Sequence, residues 1–399
     1  MKRSLPAALA AVLFLAATAQ AQTWQACTMP TALMLNMEVG PSGELFTVSG
    51  NATFVPYVST DQGATWTPKA GTGLSAGITD MRISVTNTGT LLVQGTGPQG
   101  SRVWRSTDAG NTFTAIGSGG GVPSSFYAFG MATGRTTGEH YLFGEGVLRT
   151  TDDGLTWTQI VPSNLEVHSV AATATSLIGA AYGGVFKCAH DGSGYAMLTI
   201  APLSLNPVWD VSVGYNDRIV VVGGTFNKAI TSTDDGVTWT DAGAQLWNPT
   251  EMQHVACSPL LDTWFVGKQN NMYMGGGGQP NVAANTGINW VGNEPLLGIL
   301  VDPAGVFYMY TYSQIRKQQL SVDVNAQDAP TPGVFPNPAT DELLAPLAAG
   351  RTYRLIDLQG RTIAQGVVPF GGRIGIGGLA SGTYLIAVEG FAPQRVEKL

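Results

Sequence analysis

The chain has 399 residues with a formal net charge of −7, and only 12% of its residues are charged. This composition lacks the basic stripe that nucleic-acid binding requires, and it offers no polybasic patch for a membrane surface. Glycine is frequent, at 52 residues, which is typical of a chain with many tight turns. We therefore expect an all-β protein without nucleic-acid partners.

Residues 1–21 have the three parts of a secretory signal peptide. Lys2 and Arg3 form a charged start, an apolar run follows, and Ala19-Gln20-Ala21 fits the small-residue cleavage pattern. The apolar run, from residue 5 to residue 17, is too short to span a membrane as a helix. We expect an exported protein that crosses the inner membrane into the periplasm and has no transmembrane segment.

An eight-residue turn with the pattern Ser/Thr-Thr-Asp-x-Gly-x-Thr-Trp/Phe recurs within residues 22–320. The intact copies are Ser59–Trp66, Ser106–Phe113, Thr150–Trp157 and Ser232–Trp239, and the degenerate copies are Cys188–Tyr195 and Ala283–Trp290. Their third positions are 61, 108, 152, 190, 234 and 285, so successive copies lie 38 to 51 residues apart. A period of this length is typical of the blades of a β-propeller.

The chemistry of the turn indicates a structural role. The Asp can accept a hydrogen bond from the N–H two residues on, the Gly allows a positive φ, the Thr starts a strand and the aromatic ring packs on a sheet. A catalytic residue is not normally copied into every repeat. The predicted structural residues are Asp61, Gly63, Trp66, Asp108, Gly110, Phe113, Asp152, Gly154, Trp157, Asp234, Gly236 and Trp239.

These turns resemble the Asp-box, or bacterial neuraminidase repeat, of sialidases, sortilin-type receptors and photosystem assembly factors. The resemblance implies a propeller over residues 22–320. It implies little about chemistry, because the box lies at the blade periphery, away from the active sites of that family.

Seven blades are the simplest solution for the ring. Six carry a box, and residues 298–317 form a further set of three strands without one. The segment Thr23-Trp24-Gln25 resembles the strand that follows a box, so we expect it to complete this last blade and close the ring. Six or eight blades remain open alternatives.

The inner strands predict a ligand site at the mouth of the central channel. Alignment of the blades on their second strands places five polar residues at similar positions, with a tryptophan next to one of them. The alternative is that these groups pair with one another or with channel water, because a register error of one residue reverses the facing. The predicted ligand-binding residues are Asn36, Arg82, His168, Trp209, Asp210 and His254.

Sequence motifs for catalysis, metals and cofactors are weak. Gly73-Leu-Ser75-Ala-Gly77 matches a nucleophile elbow, but a strand rather than a helix follows it. Sialidases use an arginine triad and an Arg-Ile-Pro motif, whereas the sequence after Arg82 is Ile-Ser. Four scattered histidines and three cysteines without metal-ligand spacing predict no metal or cofactor, and we expect the cysteines to be small buried residues.

The end of the chain predicts a second domain. Residues 321–333 read as a linker rich in proline, alanine and aspartate, and residues 334–399 alternate apolar and polar positions like a small β-sandwich. Two motifs stand out in the second part. They contain Pro336, Asn337, Pro338, Thr340 and Asp341 in the first, and Gly382 and Tyr384 in the second.

This segment resembles the type A C-terminal sorting domain of the type IX secretion system, which is a property of Bacteroidetes-type bacteria. The resemblance implies export across the outer membrane by the type IX machinery. It also implies that the domain is often removed and the protein attached to surface lipopolysaccharide. We therefore expect a secreted or surface-attached protein.

The sequence favours a non-enzymatic binding module for an unknown glycan or protein, since no catalytic set is recognisable. One alternative is a sialidase-like glycoside hydrolase that uses carboxylates such as Asp80 or Asp210. A second alternative is a structural or adhesive surface protein.

Overall fold

The computed structural model describes residues 23–30, 34–49, 54–74, 79–97, 100–200, 207–223, 228–245, 254–268, 271–276, 279–283, 288, 294–319, 337–345, 351–357, 361–369, 372–388 and 394–399. The predicted signal peptide and linker, Pro336 and most of the degenerate box at 283–290 lie outside these residues. The regular elements of the described residues are strands, apart from two single-turn 3₁₀ helices at Ser118–Gly120 and Tyr215–Asp217.

The first part of the chain forms antiparallel sheets of consecutive strands. Four of them follow one plan, in which each strand pairs with the next along the chain. They consist of β2 (Met34–Val39), β3 (Leu45–Ser49), β4 (Val55–Ser59) and β5 (Thr67–Pro68); β6 (Thr79–Val85), β7 (Leu91–Gly97), β8 (Gly100–Ser106) and β9 (Thr114–Ile116); β16 (Val208–Val213), β17 (Ile219–Gly223), β18 (Lys228–Ser232) and β19 (Thr240–Gln245); and β20 (His254–Cys257), β21 (Thr263–Lys268), β22 (Asn271–Gly276) and β23 (Gln279–Ala283).

A six-stranded sheet lies between the second and third of these. It contains β10 (Ala128–Thr133), β11 (His140–Thr150), β12 (Thr158–Ala172), β13 (Leu177–Ala181), β14 (Gly184–Cys188) and β15 (Ala196–Met197). The strand β11 folds back on itself, because Arg149 Nε donates to Glu139 Oε1 at 2.8 Å, whereas ten residues of straight strand would span about 33 Å. Gly146, with φ of 86°, provides the reversal.

The last sheet closes the ring. It joins β24 (Gly298–Val301), β25 (Val306–Tyr310) and β26 (Ile315–Gln319) to β1 (Gln25–Ala26), with Gln25 opposite Lys317. The N-terminal strand therefore completes the final sheet as the sequence predicts. Trp24 anchors it, since its side chain is buried and its ring meets Phe265 edge-on at 5.3 Å.

The fold is an all-β propeller. Its inner strands β2, β6, β10, β12, β16, β20 and β24 contact one another in sequence, and β24 contacts β2. Apolar side chains between adjacent sheets form the core, for example Val85 and Leu91 between the first two. The prediction of seven blades requires the six-stranded sheet to be two blades, and it stays a prediction.

The box turns confirm the expected glycine geometry and correct the expected hydrogen bonds. Gly63 has φ of 80°, and Asp61 Oδ1 accepts the N–H of Thr65, four residues on rather than two, at 2.8 Å. The Thr65 hydroxyl also donates to Asp61 Oδ2, so this residue closes the turn and the strand begins at Thr67, after the aromatic. The same bonds recur at Asp108, Asp152 and Asp234.

We expect Asp234→Ala to lower the melting temperature without selectively abolishing ligand binding. The Thr238 hydroxyl and N–H hold the pKa of Asp234 at about 2, so the turn depends on the ionised carboxylate. Thermal unfolding of the full chain measures the effect. Val237→Ala in the same turn is the matched control, because that side chain is 75% exposed. Unchanged stability with lost ligand affinity would reverse the structural interpretation.

A contact between adjacent sheets was not predicted. The residue before the box glycine is left-handed, and at Asp153 and Asp235 its carboxylate binds hydroxyls of the preceding sheet. Thr86 and Thr88 donate to Asp153 at 2.8 and 2.5 Å. For Asp235 the donors are Thr173, Thr175, Ser176 and Lys187.

A basic side chain of the preceding sheet also binds the carbonyl of this same turn residue. Arg105 Nε donates to the Asp153 carbonyl at 2.8 Å, and Lys187 Nζ donates to the Asp235 carbonyl at 2.6 Å. Lys317 does the same to Gln62 at 3.3 Å, across the closure of the ring. The box therefore links neighbouring sheets as well as two strands of its own sheet.

The C-terminal part forms a small two-sheet structure. One sheet pairs β27 (Glu342–Leu344) with β30 (Arg373–Gly375). The other has the order β29 (Thr362–Val367), β28 (Thr352–Asp357), β31 (Gly382–Val388) and β32 (Gln394–Lys398). Leu343, Leu355, Ile374, Ile386 and Val396 are buried between them.

The two sequence motifs of this domain have structural roles. Asn337 donates to the Arg395 carbonyl and accepts the N–H of Glu397, which ties the start of the domain to its last strand. The Tyr384 hydroxyl donates to the Ala380 carbonyl. Pro338, Thr340, Asp341 and Gly382 are exposed.

The three cysteines are free thiols. Cys188 and Cys257 are buried as expected, whereas Cys27 is only partly buried, which corrects the prediction for that residue. Its thiol lies beside the box turn, with Sγ 3.6 Å from the Gln62 carbonyl. Burial raises the pKa of Cys27 to about 11, so the thiol is un-ionised at neutral pH.

Candidate functional site

The six predicted ligand-binding residues line one central cavity of about 350 Å³. Five of the six residues lie within the first four positions of their strands, and His168 lies beside the register shift in the second half of β12. Members of five inner strands therefore converge at one end of the channel. They are Asn36, Arg82, His168, Trp209, Asp210 and His254.

A repeated irregularity of the inner strands accompanies this convergence. The pairing register shifts between Met34 and Asn36, and again between Val208 and Asp210. The strands β6, β10 and β12 have a shift at the equivalent place. A bulge bends its strand and re-aims the side chains beside it, so this end of the channel differs from the regular ladder below.

Two of the six residues use their polar atoms to join neighbouring inner strands. Asn36 Nδ2 donates to the Ile83 carbonyl at 2.7 Å, and Asn36 Oδ1 accepts the Ile83 N–H at 2.9 Å. Asp210 accepts the N–H groups of Val211 and Val255 at 2.8 and 3.0 Å. The partners of both side chains are backbone groups. The predicted alternative, in which channel-mouth groups pair with one another, applies to Asp210 and His254, whose Oδ2 and Nδ1 atoms lie 3.7 Å apart.

An aromatic wall occupies one side of the cavity. The rings of His168 and Trp209 stack with their centroids 4.9 Å apart. The centroid of the Phe129 ring lies 6.0 Å from that of His168. His168 is held in place, since Nδ1 is 2.6 Å from the Val208 carbonyl and Nε2 is 3.2 Å from Glu166 Oε1. The imidazole thus positions the indole of Trp209.

Arg82 differs from the other arginines of the propeller. It is exposed at the cavity, and within the described part of the chain its guanidinium makes no hydrogen bond or ion pair. Each of the others has a partner, namely Arg102, Arg105, Arg135, Arg149, Arg218 and Arg316. A guanidinium carries five N–H donors, so Arg82 has its full capacity for an anionic or polar ligand.

The lining residues that were not predicted include Glu38, Phe129, Glu166 and Tyr310. Burial raises the pKa of Glu38 to about 8, so this carboxyl is mostly protonated at neutral pH. Burial and the neighbouring Glu38 also raise the pKa of Tyr310. The signal for Glu38 was present in the sequence, since it lies two residues after Asn36 and so on the same face of β2.

The opposite end of the channel holds a second cavity, of about 580 Å³. It is lined by the last residues of inner strands, such as Thr133 and Val213, and by the ion pair of Arg135 with Asp217 at 2.5 Å. The Arg135 guanidinium and the Asp217 carboxylate thus neutralise each other. The cavity with the unpaired Arg82 is therefore the better candidate for ligand binding.

The described residues contain no group of three or more His, Cys, Asp and Glu side chains that could hold a metal ion. None of their helices is long and apolar enough to cross a bilayer.

Comparison with known families identifies the C-terminal domain. Residues 333–399 match the family described as the secretion system C-terminal sorting domain. This domain marks a protein for export by the type IX system, so the chain is a secreted or cell-surface protein that interacts with the secretion machinery. A search of curated proteins found no match.

Solved structures of low sequence identity share the propeller fold. YCF48 bound to D1 peptide is 14% identical, with a TM-score of 0.56 over 75% of this chain and 95% of that one. PorZ of Porphyromonas gingivalis, a surface component of the type IX secretion system, is 13% identical, with a TM-score of 0.53 over 94% of this chain and 60% of its own. Virginiamycin B lyase from Staphylococcus aureus is 12% identical, with a TM-score of 0.56 over 75% and 98%.

Proposed function

We propose that this exported propeller is a non-enzymatic binding protein whose ligand occupies the central cavity. The observation that carries the proposal is the meeting of an unpaired guanidinium, Arg82, with the aromatic wall of Trp209 and His168. Ligand sites combine apolar and aromatic walls with a few polar groups that fix orientation. Within the described chain, the Arg82 guanidinium leaves its hydrogen-bonding capacity unused in this cavity.

The finer family assignment is part of the proposal. We infer an Asp-box propeller of seven blades, preceded by a signal peptide at 1–21 and separated from the sorting domain by the linker 321–333. The recurring bonds of Asp61, Asp108, Asp152 and Asp234 support the Asp-box assignment. The closed series of inner strands supports seven blades.

A glycan is the ligand class that best suits this cavity. Sugar rings stack on indole faces, and their hydroxyls can accept hydrogen bonds from a guanidinium. A protein partner is the other class. The propeller of YCF48 binds D1 peptide, which is a precedent at the level of fold.

We expect Trp209→Ala to weaken ligand binding about 30-fold or more, because the indole supplies the largest stacking surface of the cavity. The mature full chain would be screened on glycan and peptide arrays, and the affinity for the best ligand would be measured for each variant. Arg82→Ala should weaken binding of the same ligand.

The matched control is Tyr182→Ala, an aromatic that is 61% exposed between β13 and β14 and does not line the cavity. Its affinity should equal that of the unaltered chain. Full binding by Trp209→Ala and Arg82→Ala together would refute the central cavity as the ligand site.

Glycoside hydrolysis is the second candidate function, and Glu38 is the observation that favours it. A carboxyl that stays protonated near neutral pH can serve as a general acid. Two facts weigh against it: backbone N–H groups occupy Asp210, and the raised pKa of Tyr310 opposes a phenolate nucleophile. Turnover of a fluorogenic glycoside that Glu38→Gln or Asp210→Asn abolishes would replace the binding proposal with hydrolysis.

A further inference from the structure

The two edges of the four-stranded sheet in the sorting domain differ in a way that concerns recognition. The strand β32 forms one edge and carries Arg395, Glu397 and Lys398. Ala339 covers this edge, because its N–H donates to the Glu397 carbonyl and its carbonyl accepts the N–H of Leu399. Charges and a covering segment are the usual means by which proteins block an edge.

The opposite edge, β29, is open. Its sequence, Thr-Ile-Ala-Gln-Gly-Val, contains no charged residue. It pairs with β28 alone, and in the described structure its residues make no other hydrogen bond. Its outward apolar side chains are solvent-exposed, with Ile363 at 41% and Val367 at 59%.

An open, uncharged and apolar edge offers unpaired N–H and C=O groups to another strand. Gln365 and Val367 alternate along β29 and so share one face of the sheet. Ile363 lies between Thr362 and Ala364, where the pairing register with β28 shifts. An added strand would gain backbone hydrogen bonds from the edge and specificity from the side chains of Ile363, Gln365 and Val367. The export machinery is the partner that the sorting-domain match implies for this domain.

We propose that the β29 edge is the surface through which the type IX machinery recognises this domain, by adding a strand of its own. The inference rests on the sorting-domain match and not on ligand binding by the propeller. Its failure and that of the proposed function are therefore independent.

The test uses the full chain with Ile363→Lys and Val367→Lys, produced in a bacterium with an active type IX system. Two ammonium groups at this edge should disfavour strand addition, as charged residues do on natural edges. We expect the surface or secreted fraction to fall at least tenfold, with the chain retained in the periplasm. Normal delivery of this double variant would overturn the proposal.

The matched control is Leu385→Lys, which adds the same charge at a 38% exposed position of the internal strand β31. It should be delivered normally. Equal retention of Leu385→Lys would show that the sheet face, rather than its edge, is recognised.

Folding is checked by the melting temperature of each purified chain, which should be unchanged because the substituted side chains are exposed. If the double variant does not fold, Gln365→Lys, exposed in the centre of the same edge, replaces it with the same expected outcome. Light scattering tests the alternative that a second copy of this chain binds the β29 edge. The edge substitution could dissociate a wild-type dimer and leave surface delivery normal. That result would assign the edge to self-association and refute recognition by the machinery.

Discussion

Truncation after Asp328 is expected to leave the propeller in the periplasm with almost none at the cell surface. The change removes the whole segment that matches the sorting domain, residues 333–399, and leaves every described strand of the propeller intact. The core of the removed domain is its own cluster of buried residues, including Leu343, Leu355 and Ile386. The truncated propeller should therefore still fold.

Cell fractionation and surface protease accessibility measure this result. The control is the purified truncated chain, which should show the melting temperature and cavity-ligand affinity of the propeller in the full chain. Surface delivery of the truncated chain at the normal level would contradict the role of the domain as an export signal.

Asp235→Ala should destabilise the propeller by about 2–3 kcal/mol, because it removes a charge-assisted contact that joins two sheets. The carboxylate accepts hydrogen bonds from Lys187, Thr173 and Ser176, at 2.6 to 2.7 Å. Its side chain is 30% exposed, so solvent screening keeps the effect below that of a fully buried ion pair. Ala109 occupies the same turn position in another box with φ of 54°, so alanine fits the backbone.

The effect should depend on pH. Burial alone would raise the pKa of Asp235, but the bonds from Lys187 and the hydroxyls outweigh it and lower the pKa to about 2. A lowered pKa means that the stabilisation is complete above the unfolded value near 4 and is lost as the pH falls toward 2. Denaturant unfolding should therefore show a large difference in the free energy of unfolding between Asp235→Ala and the unaltered chain at pH 7. The difference should be small at pH 2.5. An equal difference at both values would exclude the ionised carboxylate as the cause.

The sequence predicts the propeller because its signal is local. The Asp, Gly and Thr of each box are within four residues of one another, so the turn can be inferred without any tertiary structure. The bond partner was still misplaced by two residues. The reason is that the box has two successive residues with positive φ, such as Gln62 and Gly63, between the Asp and the Thr. The carboxylate therefore reaches the N–H four residues on, not the N–H two residues on.

The contacts between sheets were harder to predict. Asp153 and Asp235 bind residues 48 to 67 positions earlier, a relation that exists only after the sheets pack. A weak signal was available, since both boxes read Asp-Asp-Gly. Arg105 and Lys187, which bind them, each directly precede the first position of another box.

The cavity was predicted in part. Alignment on the second strands identified its polar ring because strand register carries over from one repeat to the next. Alignment missed Phe129 and Tyr310, since no polar residue marks them, and it could not show that Asn36 and Asp210 bind backbone groups while Arg82 binds none among the described residues.

The pairing of Gln25 with Lys317 has a consequence for the order of folding during export. A contact between residues almost 300 positions apart requires nearly the whole propeller sequence before it can form, and such long-range pairing is slow. If the chain enters a compartment N-terminus first, β1 has no partner strand until β26 has also entered. Trp24 cannot reach its buried position before then. The early sheets can pair locally, so the last slow step is the arrival of the C-terminal strand at the waiting N-terminal one. An outer-membrane transporter that accepts only folded propellers would therefore exclude chains that lack β26, because their ring cannot close.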